Sequence, residues 1–195
     1  MNKLYFKYGT MNSSKSANLL MIKHNYEEQN MNVLLIKPAI DNRDSTSEVV
    51  SRIGLRAKCK AIEPKENIYN LSWGNYDVLM VDEAQFLTLE QVDQLYNISC
   101  SIPVLCFGLL TDANQHLFPG SQRLIELAES VEKIKTICRC GAAANYNVRF
   151  DNKGNYIENG QQIVIGGNEQ YKAVCKGCLE KIKRYKTIYC LDKYF

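Results

Sequence analysis

Residues 4–16 read Leu4-Tyr5-Phe6-Lys7-Tyr8-Gly9-Thr10-Met11-Asn12-Ser13-Ser14-Lys15-Ser16. The first five form a strand-like run that stops at a glycine, and apolar residues with helical spacing follow as far as residue 28. Residues 9–16 fit the phosphate-binding pattern G-x-x-x-x-G-K-[ST] except that Ser14 replaces the second glycine. The stretch therefore predicts a strand, a phosphate-binding loop and a helix, in that order.

The chemistry expected of this loop is phosphate binding. Backbone N–H groups at a helix N-terminus wrap phosphate oxygens, while Lys15 would meet the outer phosphates and the Ser16 hydroxyl would meet Mg²⁺. The alternative is a serine-rich turn that only caps the helix, with Ser13 or Ser14 at the N-cap. The candidate nucleotide-binding residues are Gly9, Thr10, Met11, Asn12, Ser13, Ser14, Lys15 and Ser16.

A second motif follows the apolar run at residues 78–81 and reads Asp82-Glu83-Ala84-Gln85-Phe86. Ligands bind beyond the carboxyl ends of strands in an open parallel sheet. Asp82 suits the acid associated with Mg²⁺, and Glu83 suits a base that deprotonates an acceptor hydroxyl. An isolated acidic pair could instead decorate a helix N-terminus. Because helicases and other ATPases share such a pair, the two motifs predict nucleotide chemistry without naming the acceptor.

A third pattern consists of two close-spaced cysteine pairs. The first is Cys138-Arg139-Cys140-Gly141, and the second, Cys175-Lys176-Gly177-Cys178, follows Cys140 after 34 intervening residues. Four thiolates in two such pairs are typical of a four-coordinate structural Zn²⁺ site, which has no open position for catalysis. The alternative is a set of unconnected buried thiols. The other four cysteines have no such pairing and are predicted to be core or surface thiols.

The arrangement of elements indicates an α/β domain followed by a smaller unit. Strand-like runs at residues 33–36, 78–81 and 102–107 alternate with helical candidates at 89–97 and 120–131, which favours a doubly wound sheet. Cysteine-rich and glycine-rich texture then begins. We predict a nucleotide-binding domain at residues 1–136 and a zinc-binding domain at residues 137–195.

Composition restricts the partners. With 24 basic and 21 acidic residues, the formal net charge of +3 is too small to argue for nucleic acid or a membrane surface. No apolar run approaches the roughly 20 residues of a membrane span. We expect a soluble cytoplasmic protein that binds neither nucleic acid nor membrane.

A resemblance to a known family rests on residues 167–179. They read Gly167-Asn168-Glu169-Gln170-Tyr171-Lys172-Ala173-Val174-Cys175-Lys176-Gly177-Cys178-Leu179, which resembles the signature of the cellular-type (type II) thymidine kinases. Matching segments in the family's order cover most of the chain, at residues 8–16, 37–43, 51–55, 81–87, 104–112, 127–130, 136–141 and 164–178. The resemblance implies a RecA-like P-loop sheet flanked by helices, and a small C-terminal zinc domain whose lasso loop closes over the nucleoside. The implied reaction is ATP-dependent phosphorylation of thymidine at its 5′-hydroxyl.

The resemblance also implies roles for individual residues. Glu83 would take the proton from the 5′-hydroxyl. The residues that would border the phosphates are Asp82, Glu83, Ala84, Gln85, Asp41 and Arg43. Those that would contact the nucleoside are Phe86, Phe118, Gln162, Ile163, Val164, Ile165, Gly166 and Tyr171. The implied zinc ligands are Cys138, Cys140, Cys175 and Cys178.

Two positions depart from the family pattern, and three functions stay in view. Ser14 stands where the family has glycine, and Ala113 where it usually has a phenylalanine of the substrate pocket. The leading function is thymidine phosphorylation, with Mg²⁺-ATP, structural Zn²⁺, thymidine or deoxyuridine as acceptor, feedback inhibition by thymidine triphosphate and a homotetramer all implied by the family. The alternatives are a P-loop ATPase motor and an inactive zinc-containing nucleotide-binding module.

Overall fold

The computed structural model describes residues 3–41, 47–158 and 170–194. Its strands are β1 (Leu4–Tyr8), β2 (Val33–Pro38), β3 (Glu48–Val50), β4 (Arg56–Lys58), β5 (Lys60–Ile62), β6 (Val78–Val81), β7 (Val104–Gly108), β8 (Ser130–Lys133), β9 (Tyr146–Arg149) and β10 (Tyr171–Val174). Its α-helices are α1 (Lys15–Glu28), α2 (Leu89–Ile98), α3 (Pro119–Leu127) and α4 (Lys176–Tyr185). A 3-10 turn covers Ala84–Phe86.

The centre of the molecule is a six-stranded sheet in the order β5-β2-β6-β7-β1-β8. Every pairing in it is parallel. One strand, β7, separates β1 from β6, which is the RecA-like order that the family resemblance implies. The predicted fold class, a parallel P-loop sheet flanked by helices, is confirmed.

Apolar side chains on both faces of the sheet explain why it is covered on both sides. On β2 and β6, Leu34 and Leu79 join a buried cluster with residues of α2 and α3, whereas Leu35 and Met80 join a second cluster with residues of α1. Successive residues of a strand point to opposite faces. The near-continuous apolar runs predicted from the sequence therefore correspond to buried parallel strands.

The parallel pairing brings the carboxyl ends of four strands to one edge. Tyr8 at the end of β1 is in register with Gly108 at the end of β7, and Val81 of β6 is in register with Ile36 of β2. The segments that follow these strands begin at residues 9, 39, 82 and 109. This edge is where an open α/β sheet binds ligands.

The helix predicted at residues 120–131 is wrong at its C-terminal end. Helix α3 ends at Leu127, because Ala128 adopts the extended conformation φ −70°, ψ 131°. The next residue, Glu129, is tied to β1, since its N–H donates to the Leu4 carbonyl and its carboxylate accepts from the Leu4 N–H at 2.8 Å. Residues 130–133 then continue as β8, a sixth strand that the helical pattern had hidden.

The C-terminal residues build a smaller core of their own. Strands β9 and β10 pair antiparallel, and α4 packs with them through Val148, Phe150, Val174, Leu179 and Ile182. The buried residues of this cluster all lie between residues 138 and 191. The division after residue 136 stays a prediction, and this separate cluster supports it. No helix in the described part of the chain is long and apolar enough to cross a membrane.

Candidate active site

The loop after β1 curls at the carboxyl edge of the sheet. The Gly9 N–H donates to the Gly108 carbonyl at 3.2 Å, and the Ser13 N–H donates to the Thr10 carbonyl at 3.3 Å. A Cβ added at Gly9 would lie 2.2 Å from Ser13 Oγ, so the tight curl requires glycine at its start. The chain leaves the loop directly into α1. Strand β1, the loop at residues 9–14 and helix α1 therefore form a strand–loop–helix unit of the predicted kind.

Two loop residues hold left-handed backbone conformations. Asn12 has φ 63°, and Ser14 has φ 60° and ψ 30°. Successive right- and left-handed residues turn neighbouring N–H groups toward one point and make an anion-binding concavity. Ser14 occupies the N-cap position of α1, but its side chain makes no capping hydrogen bond. The alternative hypothesis, that Ser14 serves to cap the helix with its side chain, is therefore not supported by a hydrogen bond.

Ser16 and Asp82 meet where a divalent cation would bind. Ser16 Oγ donates to Asp82 Oδ2 at 2.8 Å, which joins the first turn of α1 to the end of β6. Asp82 Oδ1 is buried and has no hydrogen-bond partner among the described residues. A hydroxyl beside an orphaned carboxylate oxygen is a donor set that suits Mg²⁺. The residues fit a magnesium ion bound with a nucleotide.

The electrostatics of Asp82 also favour a nearby cation. Burial raises the pKa of Asp82 to about 7, and the charge of the adjacent Glu83 acts in the same direction. The hydrogen bond from Ser16 and the charge of Lys15 act in the opposite direction. Lys15 itself is buried, and its Nζ donates to the Thr10 carbonyl at 2.9 Å. The Lys15 ammonium is thus held against the backbone of the loop. The prediction is that it leaves the Thr10 carbonyl to bind the outer phosphates.

Glu83 is held by a local network that the sequence motif did not reveal. Its backbone is left-handed, with φ 51° and ψ 38°, and it begins the turn that covers Ala84–Phe86. Gln85 Nε2 donates to Glu83 Oε2 at 2.5 Å, while Gln85 Oε1 accepts from the Leu109 N–H at 3.0 Å. A Cβ at Gly108 would lie 2.7 Å from Gln85 Oε1. The bare backbone of Gly108 thus lets Gln85 fix the carboxylate of Glu83.

Among the other residues expected beside the phosphates, Ala84 and Gln85 are buried and Asp41 lies at the edge of the site. The Asp41 carboxylate is 3.6 Å from Lys37 Nζ. Lys37 is only 2% exposed, so the pair is removed from bulk water. Arg43 lies outside the described residues.

These groups line one cleft. Residues 11–17 line it together with Asp82 and Glu83, and so do Lys37 and Asp41. Its other lining residues are Leu109 and residues 49–53, which include part of β3 and the turn that follows it. The cleft encloses about 210 Å³. Most of the described phosphate-site candidates that carry polar side chains line this space, from Asn12 to Ser16 and at Asp41, Asp82 and Glu83.

Part of the expected nucleoside pocket can be placed. The Phe86 and Phe118 rings meet edge to face with centroids 5.8 Å apart. Phe86 ends the turn that Glu83 begins, and Phe118 lies just before α3. Tyr171 begins β10, and the Arg149 guanidinium carbon lies 5.8 Å from the centroid of its ring. The remaining candidates, Gln162, Ile163, Val164, Ile165 and Gly166, lie outside the described residues.

The four predicted metal ligands come together. The Sγ atoms of Cys138, Cys140, Cys175 and Cys178 all lie within 4.8 Å of one another. A tetrahedral Zn²⁺ with Zn–S bonds of about 2.3 Å places its sulfurs about 3.8 Å apart, so the cluster fits a zinc ion. A turn at residues 138–141 supplies the first pair, and Gly141 with φ 83° closes it. Cys175 and Cys178 lie at the start of α4.

The thiols differ in their readiness to ionise. The backbone N–H of Ala142 and the neighbouring thiols lower the pKa of Cys140 to about 7. Burial raises the pKa of Cys175 and of Cys178. A bound cation would favour the thiolate forms of Cys175 and Cys178 against this effect of burial.

Sequence reasoning missed two buried polar residues of the site. Lys37 interrupts the apolar run of β2, and a charge in a buried strand was a usable signal. Asn147 of β9 accepts a hydrogen bond from the Met11 N–H at 2.8 Å, and nothing in the sequence near residue 147 pointed to the loop.

Comparison with known proteins identifies the family of this chain. A family described as thymidine kinase matches residues 2–179. Relatives named thymidine kinase include those of Mannheimia succiniciproducens, 44% identical over 90% of this chain and 94% of the relative, and Legionella pneumophila strain Lens, 46% identical over 90% and 88%. The solved Pif1 helicase of Candida albicans is 16% identical, with a TM-score of 0.45 over 72% of this chain and 37% of that chain, which is too remote to add anything. Because the family match spans residues 2–179 and these relatives are 44–46% identical over 90% of the chain, this chain belongs to the thymidine kinase family.

Proposed function

We propose that this protein transfers the γ-phosphoryl group of ATP to the 5′-hydroxyl of thymidine. The observation that carries the proposal is the placement of Glu83 immediately beside the Ser16–Asp82 pair, at the mouth of the phosphate loop. A base in that position can reach an acceptor bound opposite the outer phosphate. The family and its named relatives support thymidine as that acceptor.

Each group has a distinct task in this mechanism. The loop N–H groups and Lys15 hold the phosphates and stabilise charge as the γ-phosphoryl group leaves. A bound Mg²⁺, held by Ser16 and Asp82, would neutralise the phosphate oxygens. Glu83, aimed by Gln85, accepts the proton of the 5′-hydroxyl as the bond to phosphorus forms. The Phe86 and Phe118 rings supply an apolar wall for the nucleoside.

The reaction predicts that ADP release depends on thymidine. We expect a coupled assay of ADP formation to show turnover with Mg²⁺, ATP and thymidine, and only background turnover when thymidine is omitted. Deoxyuridine, which lacks the 5-methyl group, is the matched test of acceptor range, and single-stranded DNA is the control for a motor. Turnover that is equal without nucleoside, or that DNA stimulates, would contradict the proposal.

The left-handed backbone of Ser14 leads to a prediction for the loop. An L residue in this conformation costs about 1–2 kcal/mol, which glycine avoids. We expect Ser14→Gly to keep the affinity for ATP or to improve it. The gain would reach about tenfold where only the bound loop carries the strain, and it would vanish where the free loop carries it equally. Titration of both proteins with ATP measures this effect. A several-fold loss in the variant would instead show that the Ser14 hydroxyl binds a phosphate oxygen.

Further properties of the proposal rest on the family resemblance. We propose that thymidine triphosphate is a feedback inhibitor. It joins the substrate nucleoside to a phosphate chain in one molecule, so it would occupy the nucleoside and phosphate sites together. A homotetramer, a cytoplasmic location, and contacts of Arg43 and residues 162–166 with the substrates belong to the same proposal. A structural Zn²⁺ would hold the turn at residues 138–141 against the start of α4. Light scattering of the purified protein tests the tetramer.

A further inference from the structure

Asn147 connects the cysteine-bearing part of the chain to the phosphate loop. It is 3% exposed, although it carries a fully polar side chain. Its Oδ1 accepts from the Met11 N–H at 2.8 Å, and its Nδ2 donates to the Thr111 carbonyl at 3.3 Å. Met11 belongs to the loop after β1, and Thr111 belongs to the segment after β7. One amide therefore bridges two strand ends at the carboxyl edge of the sheet.

The position of Asn147 is fixed by the elements around the cysteines. In β9 it is in register with Ala173 of β10, and β10 runs directly into Cys175. Just before β9, the Asn145 N–H donates to the Val174 carbonyl at 2.9 Å. The cysteine turn at residues 138–141 precedes the same strand. A zinc ion that orders these cysteines would thus order the strand pair that holds Asn147.

The chemistry of the contact calls for an amide. The Met11 N–H needs an acceptor and the Thr111 carbonyl needs a donor, and the amide of asparagine offers the two on separate atoms that face different partners. A buried N–H left without a partner is costly, so removing Asn147 would release Met11 and allow the loop to rearrange. The hydroxyl of Thr10 and that of Ser13, on either side of Met11, have no partner among the described residues. The hydrogen bond from the Met11 N–H to Asn147 therefore holds the middle of the loop from a strand outside it.

We propose that Asn147 is a positioning residue for the phosphate loop, and that through it zinc occupancy and ATP affinity are coupled. This inference rests on the proposed function, because it assumes that the loop binds ATP. Asn147 acts by holding the Met11 N–H, which fixes the curl of residues 9–16 before the nucleotide arrives. Its effect on catalysis is exerted through ATP binding and not through contact with the reacting atoms.

The experiment compares two leucine variants by titration with a nonhydrolysable ATP analogue and Mg²⁺. Asn147→Leu removes both hydrogen bonds in nearly the same volume. Asn145→Leu is the matched control, because the Asn145 side chain also reaches the sheet, through Lys133 of β8, but does not touch the loop. We expect Asn147→Leu to raise the Kd of the analogue about 5- to 30-fold. The KM for thymidine and the Kd of the control variant should stay near the wild-type values.

A second measurement uses the wild-type protein, so it does not depend on the folding of a variant. Coupling between two sites is reciprocal, so the bound analogue should raise the affinity for Zn²⁺, measured by competition with a chelator, about 5-fold or more. This enhancement should disappear in Asn147→Leu if that variant folds. Equal analogue affinities for wild type and Asn147→Leu, equal losses in both variants, or no effect of the analogue on zinc retention in the wild type would each overturn the inference. A wild-type protein that binds no analogue would instead reject the proposed function.

Discussion

Replacing Glu83 by glutamine is expected to lower kcat for thymidine by about 10²–10⁴-fold. The change keeps the length and shape of the side chain but removes the group that accepts the proton. Gln85 Nε2 can still donate to the oxygen of the new amide, so the side chain should stay in place. The KM for ATP should change little, because the phosphate loop is not altered. Steady-state kinetics with thymidine, together with thermal unfolding, measures both effects.

A matched control for this variant is Glu90→Gln. Glu90 is an exposed acid in the first turn of α2, seven positions further along the chain. Loss of the same charge there should leave kcat unchanged. If Glu83→Gln phosphorylates thymidine at the wild-type rate, Glu83 is not the base and the acid that does this work must be sought elsewhere in the cleft.

Replacing Cys175 by serine is expected to reduce bound zinc from about one ion per chain to near zero. Cys175 is the residue from which α4 starts, and the C-terminal core cluster includes Val174, Cys138 and Cys178 beside it. Structural zinc binds zinc-finger peptides with apparent free energies of about 10–16 kcal/mol, and part of that is folding free energy. We therefore expect a large loss of thermal stability, in which the residues of this C-terminal cluster unfold before the rest of the chain. Elemental analysis and thermal unfolding measure the two effects.

Cys100→Ser provides the control for the zinc prediction. Cys100 is an exposed thiol after α2 and takes no part in the cluster of four. This variant should retain its zinc and its stability. Metal-free wild-type protein, purified without chelators and unfolding at the same temperature as Cys175→Ser, would rule out the four-thiolate site.

Local signals explain how much of the fold the sequence predicted. The run from Leu4 to Ser16 places a strand, a loop and a helix in direct succession, and each is found within a residue of its expected bounds. The apolar run at residues 78–81, followed by Asp82, is an equally local signal for a buried strand that ends at the site. The cysteine pairs were predictable across 34 intervening residues because metal-ligand spacing is itself a local pattern, repeated twice.

The parts that could not be predicted depend on distant contacts. Strands β4 and β5 are short and rich in lysine and arginine, so no apolar alternation marks them. The end of α3 depends on the bonds of Glu129 to Leu4, which are 125 residues apart. Gln85 acts through Leu109, and Asn147 through Met11, across separations of 24 and 136 residues. A hydrogen bond between distant residues leaves no periodicity to read.

The left-handed backbone at Glu83 has a consequence for how this protein could be stabilised. A glutamate at φ 51° carries a strain on the order of 1 kcal/mol that a glycine would not carry. A screen that selects only for heat resistance should therefore accept glycine there and lose the base with it, whereas glycine at Ser14 relieves similar strain in a loop that works through its main chain. Asparagine adopts the left-handed conformation readily, so glycine at Asn12 would relieve little strain. Stability and turnover compete at Glu83 and not at Ser14. Engineering for robustness should begin at the loop and leave the end of β6 unchanged.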